Sequence, residues 1–528
     1  MAANILSFEV FPNQGLGVLL LGTSLHDVLT YLKSRPRAYP KISISFSSSN
    51  PIKCPVVLEL PPNGLRLRFD GIDQRLRLIE VLEFAKSRLI YKSTEIVRAV
   101  AEPSTVTAAT SPSSAGPTFR HVYHRLFGPS FPGDYVPPEA DVSDTKGTYV
   151  LSYPGIAFSF PLQHASWSPD ADFVSLLSSS AAAPARSMAI FSGSSWPEAR
   201  QELFTRTPVN PRSVGANSRA KEATPDEVDL VKVHGAGRVE LVRRTGPSFW
   251  IQLSETTPQD LVAELGPPDA IYRKQDRRLS IHRPSTSRET AAHGLAGLAL
   301  DDAGELTDND RSPAHTNMEE SDEDSGSPPD FDGSPPTSEC FYNYFHHGFD
   351  ILISRPTQLS PVPPPLSGKA AAKEVQAPQA MQVSQELTAT KILLHGNIPG
   401  SYPFNRHRRI RWILEYDVSG MFSLADSEVG FAESSKRLKA AWEDMYTNGE
   451  EAASLQKGMV LNRGWGDSPS SSCELLGGWE EGLGGRKKGT MLSSVDGEQG
   501  LGNTELFGFP GLVFEVLKND AVTCLTVF

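Results

Sequence analysis

A glycine followed by alternating apolar and polar residues occurs four times along the chain. Alternation with a period of two places one side of an extended strand in a core. A leading glycine permits the positive φ that a tight turn needs. The pattern therefore predicts a turn and a half-buried strand at each place, and the recurrence predicts a repeated architecture. The four runs begin at Gly64, Gly155, Gly348 and Gly511.

Two predicted helices share the same N-terminal pattern. Ser24 and Thr257 fit N-cap positions, and each has an aspartate three residues later. Apolar side chains then recur at helical spacing, so one face of each helix is predicted to be buried. These side chains are Leu25, Val28, Leu29 and Leu32 in the first helix and Leu261, Val262 and Leu265 in the second.

Further segments extend this pattern. Residues 118–127 are a third helix candidate, and a fourth, with a poor apolar stripe, precedes Leu476. Strand-like runs at 41–46 and 56–60 fall between the first helix and the first glycine-led strand. The fold class predicted is α+β, with repeated units of one helix plus an antiparallel β-meander sharing a core, and with long disordered inserts. The pattern favours three units over four.

Composition divides the chain into folded units and inserts. Segments rich in Pro, Ser, Ala and charge bury too little apolar surface to offset the entropy of ordering. We predict folded units over 1–100, 118–205, 228–283 joined with 339–415, and 501–528, whose strands close the last unit. We predict disordered inserts over 284–338 and 355–388, and a poorly ordered divergent region over 416–500.

The net charge of −12 is concentrated in one insert. Residues 300–333 contain twelve acids and one base, a net −11, which leaves −1 for the rest of the chain. A nearly neutral body argues against nucleic-acid binding driven by bulk positive potential. Ser321 precedes three consecutive acids and is a candidate for phosphorylation. The alternative is that the insert is only a solvated spacer.

Cysteine usage and the N-terminus indicate a compartment. The four cysteines, Cys54, Cys340, Cys473 and Cys524, are scattered without a close pair, which fits a reducing environment. The longest apolar stretch near the N-terminus, at 18–21, is too short for a signal peptide or a membrane span. We therefore expect a cytoplasmic protein that reaches membranes only peripherally.

Motifs for catalysis are missing from the sequence. The nucleophile elbow, the phosphate-binding loop, the zinc-protease motif and paired C-x-x-C are all absent. His121 and His124 lie three apart on the third helix candidate and could share a metal. Arg120 and Arg125 beside them favour a wet, positive face instead. We predict no catalytic residue, no cofactor, no metal site and no small-molecule substrate.

One basic segment differs from the neutral body. Residues 405–412 place four arginines beside a tryptophan, a composition suited to phosphoinositide or other anionic headgroups. The candidate lipid-binding residues are Arg406, Arg408, Arg409, Arg411 and Trp412. Two alternatives stay open. The segment could be the exposed face of a strand whose other face carries Ile410 and Trp412, or it could contact RNA.

Several segments resemble one known family in the same order. They are LGTSL at 21–25, LRLRFD at 65–70, DQRLRLIEV at 73–81, YPGIAFSF at 153–160, FYNYF at 341–345, GFDIL at 348–352, LHGNIPGSYPFN at 394–405 and FEV at 514–516. These segments resemble the phagosome assembly factor 1 family over nearly the whole chain. The low-complexity inserts and residues 417–500 depart from the family pattern.

The resemblance implies a function that residue chemistry alone does not. It implies a non-enzymatic scaffold or adaptor in autophagy, recruited to the phagophore assembly site with a β-propeller protein and phosphoinositide-containing membrane. It brings no catalytic residues. The alternatives are an adaptor in Golgi or vesicle trafficking, an RNA-binding protein, or an unrecognised metal-dependent enzyme.

Overall fold

The same succession of elements occurs four times in the protein. The computed structural model describes residues 5–97, 116–138, 146–208, 226–273, 339–356, 386–416, 423–443, 456–462 and 503–528. Up to Tyr272 and from Glu339 onward these residues belong to one compact unit. Each repeat, here called a module, has short strands, at least one helix and an antiparallel meander of four strands.

Modules 1 and 2 form the first half of the protein, within residues 5–208. Module 1 comprises β1 (Leu6–Phe11), β2 (Gly15–Leu16), β3 (Leu19–Leu20), α1 (Leu25–Lys33), β4 (Ser43–Ser45), β5 (Val56–Leu60), β6 (Leu65–Phe69) and β7 (Leu76–Val81). Module 2 comprises β8 (Ser87–Tyr91), β9 (Thr94–Glu95), α2 (Phe119–His121), β10 (Asp134–Val136), β11 (Lys146–Tyr153), β12 (Ile156–Gln163), α3 (Phe173–Ser178), β13 (Ser187–Phe191) and α4 (Trp196–Glu202).

Modules 3 and 4 form the second half, from residue 226 onward. Module 3 comprises β14 (Val228–His234), β15 (Arg238–Arg243), β16 (Phe249–Gln252), α5 (Pro258–Leu265), β17 (Ala270–Arg273), β18 (Cys340–Tyr344), β19 (Phe349–Ser354) and β20 (Thr388–His395). Module 4 comprises β21 (Arg411–Glu415), β22 (Ala425–Asp426), α6 (Phe431–Ala441), β23 (Met459–Asn462), β24 (Asn503–Phe509), β25 (Leu512–Leu517) and β26 (Val522–Val527).

The two halves have the same sheet topology. In the first half a five-stranded sheet runs β3-β2-β1-β8-β9 and an eight-stranded sheet runs β10-β11-β12-β13-β7-β6-β5-β4. The second half repeats both orders, as β16-β15-β14-β21-β22 and β23-β24-β25-β26-β20-β19-β18-β17. In each half the first strands of the two modules pair in parallel, β1 with β8 and β14 with β21. Each half is therefore a pair of modules that share both sheets.

Each half also has its own apolar core. One core joins residues from Phe8 to Ile190, and the other joins residues from Val228 to Val527. Within each core the helix stripes pack against the inward faces of the strands. The predicted α+β class is confirmed, and the modules share their cores in pairs.

The four glycine-led strands occupy one equivalent place. They are β6, β12, β19 and β25, the third strand of each meander. The glycines before them have φ values of 68°, 77°, 88° and 73°, in the left-handed region that disfavours side chains. At Gly348 a β-carbon would lie 2.3 Å from the Arg408 carbonyl oxygen, so close approach of the backbone adds a second reason for glycine. This prediction is confirmed.

The predicted helix caps are confirmed at α1 and α5. The Ser24 hydroxyl accepts a hydrogen bond from the Asp27 amide at 3.1 Å, and all four predicted apolar side chains of α1 are buried. Thr257 and Asp260 form a reciprocal capping box at the start of α5. The α5 stripe is narrower than predicted, because Val262 is 39% exposed.

The third helix candidate is only partly α-helical. Thr118 caps α2, which is three residues long and continues as a π-helix over Val122–Leu126. A π segment of five residues is too short for its apolar spacing to distinguish it from an α-helix. Val122 and Phe119 are buried, so this segment presents an apolar face to the first core.

The number of modules corrects the sequence analysis, which favoured three. The fourth module begins with β21, which had been placed in the third unit, and its helix α6 lies inside 416–500, where we expected poor order. The weak helix candidate before Leu476 lies outside the described residues. Thr388, placed at the end of an insert, opens β20. Residues 284–338 and 357–385 of the two inserts fall outside the described residues, and their disorder stays a prediction.

The described helices are short. None of those in the described ranges has the length and apolar character that crossing a bilayer requires.

Candidate functional site

The basic segment 405–412 lies between β20 and β21, where the two halves meet. Arg408 and Arg409 are only 2% and 3% exposed, and Trp412 and Ile410 are fully buried in the second core. Arg411 is half-buried and Arg406 is exposed. The expectation of an exposed arginine patch is therefore wrong for Arg408, Arg409 and Trp412. Burial of Ile410 and Trp412 agrees with the strand alternative, but the arginines beside them are not solvated.

Arg409 joins the halves through backbone oxygens. Its guanidinium donates to the carbonyls of Ile72 at 2.6 Å, Gly396 at 2.7 Å and Ser427 at 2.9 Å. Ile72 belongs to the first half and the other two carbonyls to the second. Burial lowers the pKa of Arg409 to about 10, so the side chain stays charged at neutral pH. Charge-assisted hydrogen bonds of this kind are stronger than neutral ones.

Glu227 joins the halves through ion pairs. Its carboxylate lies 2.7 Å from Arg408 of the second half and 3.0 Å from Arg75 of the first half, with Arg244 at 3.6 Å. Burial alone would raise the pKa of Glu227, but the charges of Arg408 and Arg75 hold it well below its ordinary value. The carboxylate is thus ionised and shared by guanidinium groups from both halves.

Two further polar contacts flank these arginines. Gln74 and Asn397 exchange two hydrogen bonds: Gln74 Nε2 donates to the main-chain carbonyl of Asn397 at 2.9 Å, and Asn397 Nδ2 donates to Gln74 Oε1 at 2.8 Å. Arg411 reaches Asp73 at 3.2 Å and Glu428 at 2.9 Å. We define the central seam as residues 72–75 of the first half together with Glu227, Asn397, Arg408, Arg409 and Arg411 of the second.

The seam continues into apolar contacts. Ile52 of the first half packs with Ile398, Leu517 and Ala521 of the second in a small buried cluster. Phe404, in the same loop as the arginines, packs against the core of the first half. The loop 396–410 therefore docks against the first half by charge, hydrogen bonding and apolar burial at once.

A buried cluster of two imidazoles and a carboxylate holds the ends of this loop. His395 Nε2 lies 2.9 Å from Asp350 Oδ2, and His407 Nε2 lies 2.9 Å from Asp350 Oδ1. The two rings stack with their centroids 3.7 Å apart. In the described part of the chain, this is the one group of three such side chains close enough to share a metal ion. Sequence spacing did not reveal it, because Asp350 is 45 residues from His395.

The charge states in this cluster differ between the two histidines. Burial alone would lower the pKa of His395, but Cys524 and Asp350 raise it to about 10. Burial and the neighbouring charge of His395 lower the pKa of His407 to about 4. Repulsion between two stacked imidazoles disfavours a state in which both are charged. The pair therefore carries a single positive charge beside Asp350 at neutral pH.

The other predicted residues lie apart from this region. His121 Nε2 contacts the Glu95 carbonyl at 3.0 Å, and His124 is exposed, so the two are not grouped as metal ligands. Ser321 lies outside the described residues, and its phosphorylation stays a prediction. A groove of about 220 Å³ beside α1 is smaller than the roughly 300–1,000 Å³ of common ligand pockets.

Comparison with known proteins gives the family. A family model described as phagosome assembly factor 1 matches residues 15–294 and 381–528, which is most of the chain. The chain belongs to the phagosome assembly factor 1 family. The resemblance predicted from the sequence is thereby confirmed.

Two relatives in the family align over nearly whole chains at low identity, and a third aligns over about a third of its length. A PHAF1 protein of Arabidopsis thaliana is 22% identical over 99% of this chain and 92% of its own length. A PHAF1 protein of Drosophila melanogaster is 20% identical over 99% of this chain and 94% of its own length. A PHAF1 protein of Caenorhabditis elegans is 27% identical over 29% of this chain and 32% of its own length. No solved structure matches the chain.

The family match covers the seam from both sides. Residues 72–75 and Glu227 fall in the first matched range, and Asn397, Arg408, Arg409 and Arg411 fall in the second. His395 and His407 also lie in the second range, whereas Asp350 lies between the two. The seam is thus built from the parts of the chain that resemble the phagosome assembly factor 1 family.

Proposed function

We propose that the protein is a non-catalytic scaffold in autophagy that acts at the phagophore assembly site. The observation that carries this proposal is membership of a family described as phagosome assembly factor 1, matched across both halves. Full-length relatives from a plant and a fly bear the PHAF1 name, which supports extending an assembly role to this chain.

The central seam supports a scaffold because it fixes one half against the other. Separating the halves would expose the guanidinium groups of Arg75 and Arg409. Arg75 would lose the Glu227 carboxylate, and Arg409 would lose the Ile72 carbonyl. Breaking one partner out of a buried ion pair costs about 3–5 kcal/mol. Surfaces on the two halves therefore keep a constant spacing, which is the property an assembly platform needs.

Two partners belong to the proposal, a β-propeller protein and phosphoinositide-containing membrane. Because Arg408 and Arg409 are committed to the seam, we place the membrane contact elsewhere on the surface. Flotation with phosphatidylcholine vesicles that contain or lack a phosphoinositide tests the membrane contact. Equal recovery with both vesicle types would contradict it. Loss of binding with rising salt is expected for an electrostatic contact.

Localisation in cells tests the role as a whole. A tagged chain is expected to form puncta with autophagosome markers after starvation, and Glu227→Gln in the seam should reduce them relative to the exposed control Glu264→Gln. A diffuse signal in both fed and starved cells would refute the proposal. Puncta that follow only Golgi markers would favour the trafficking alternative.

Affinity purification tests the partner. A β-propeller protein should be recovered with the tagged wild-type chain and retained through washes in moderate salt. Recovery of no such protein under both fed and starved conditions would contradict this part of the proposal. RNA that copurifies and is released by salt would favour the nucleic-acid alternative.

A further inference from the structure

Four donor atoms converge in the buried cluster of Asp350, His395 and His407. Each imidazole Nε2 faces a different oxygen of the same carboxylate, at 2.9 Å in both cases. Asp350 and His407 are 7% and 3% exposed, so bulk water does not surround the group. The proposed autophagy role does not use any of these side chains.

We propose that Asp350, His395 and His407 bind one divalent transition-metal ion of the zinc class. Imidazole nitrogen with carboxylate oxygen is a donor set that suits zinc and its neighbours, whereas magnesium and calcium prefer oxygen ligands alone. The two imidazoles and the carboxylate are three protein ligands, and the second carboxylate oxygen can supply a fourth donor atom, the usual coordination number of zinc. The proton that the histidine pair carries at neutral pH is released when the ion binds.

The distances are close to those that an ion needs. Bonds of about 2.0–2.1 Å to zinc place neighbouring donor atoms of a tetrahedron about 3.3 Å apart. The nitrogen and oxygen atoms of this cluster are 2.9 Å apart, so each pair must open by about 0.4 Å. His407 Nδ1 has no hydrogen-bond partner among the described residues, so Nε2 makes the hydrogen bond of this ring, which also stacks on His395.

The position of the cluster indicates a structural role for the ion. His395 ends β20 and His407 lies four residues before β21, so the two histidines bracket residues 396–406 of the loop. Asp350 in β19 holds both ends of that loop at one point. An ion there would close the segment that contains Asn397 and that directly precedes Arg408 and Arg409. Metal binding would thereby stabilise the central seam from within the second half.

Metal content of the full-length protein tests the proposal directly. Protein purified without chelators, incubated with excess zinc and then desalted should retain about one zinc ion per chain. Asp350→Asn and His407→Gln should each weaken binding at least as much as the loss of an outer partner of a zinc ligand does, about 10–100-fold. The matched control is His346→Gln, which removes an exposed histidine that pairs with Asp269 at 2.6 Å.

Cobalt substitution gives a second measurement that does not rely on a variant. Cobalt bound to the wild-type chain should show visible absorption of tetrahedral strength, and zinc should displace it. The cobalt spectrum tests metal binding even if the Asp350→Asn variant does not fold. Wild-type protein that retains almost no zinc and shows no cobalt spectrum would overturn the proposal, leaving a hydrogen-bonded triad. Equal zinc retention in His407→Gln and wild type would overturn it as well, because the ion would then lie elsewhere.

Discussion

Replacing Glu227 by glutamine should lower the free energy of unfolding more than the loss of any single surface ion pair would. The substitution keeps the shape of the side chain but removes the carboxylate that Arg75 and Arg408 share across the seam. Both guanidinium groups are almost wholly buried, and stranding a buried charge costs about 3–5 kcal/mol. Asp229 remains 3.5 Å from Arg75, so the lower end, about 3 kcal/mol, is expected.

The assay is urea unfolding of the purified full-length chain, compared with Glu264→Gln. Glu264 pairs with Arg243 at 2.7 Å but is exposed, so its substitution should cost no more than about 1 kcal/mol. A loss of about 3 kcal/mol reduces the ratio of folded to unfolded protein more than about 100-fold. Equal losses in the two variants would refute the account of the seam.

Acid gives an independent check on Glu227. The arginines of the seam hold the pKa of Glu227 well below the ordinary value of about 4.3. The ionised carboxylate therefore makes its full contribution to stability above that pH. The contribution is lost as the pH falls below about 4.3 towards the lowered folded-state pKa. The difference in unfolding free energy between wild type and Glu227→Gln should therefore narrow in acid. A difference that stays constant down to pH about 3 would contradict the lowered pKa.

Three further predictions concern the folded body. Gly348→Ala should destabilise by more than about 1 kcal/mol because φ is +88° and the Arg408 carbonyl blocks the new methyl, while Gly508→Ala, which meets nothing within 4 Å, should be nearly neutral in thermal melts. A double-mutant cycle of Gln74→Ala and Asn397→Ala should give a coupling energy of about 0.5–3 kcal/mol, and additivity would contradict a direct contact. Trp412→Ala should cost about 3–5 kcal/mol in urea unfolding, whereas a lipid-facing tryptophan would affect vesicle binding alone.

The sequence predicted those elements whose signals are local. Ser24 and Thr257 indicate the starts of their helices because each caps an amide only three residues away. The alternation after each glycine can be recognised from six residues. Helix α6 was missed because its buried face consists of Phe431, Ser434 and Leu438, with a serine where the apolar stripe should continue. The N-cap position of this helix is Gly430, which has no side chain to cap the first amides.

The central seam was missed for a different reason. A run of arginines in a sequence indicates a solvated basic surface, because charged side chains are seldom buried without partners. The partners of Arg408 and Arg411 across the fold are 180 and 338 residues away, beyond any local pattern. One local feature of the sequence could have indicated their burial. Arg408 and Arg409 directly precede an apolar strand, which brings them to the edge of a core.

The parallel pairing of β1 with β8 and of β14 with β21 limits how the protein can be dissected. Deleting any one module removes strands from two sheets at once. It also removes that module's side chains from the core that it shares with the remaining module of the same half. A truncation series used to map a partner would then report collapse of the remainder instead of loss of a binding surface. The least damaging cut falls between 208 and 226, and even there it takes from Arg75 the carboxylates of Glu227 and Asp229.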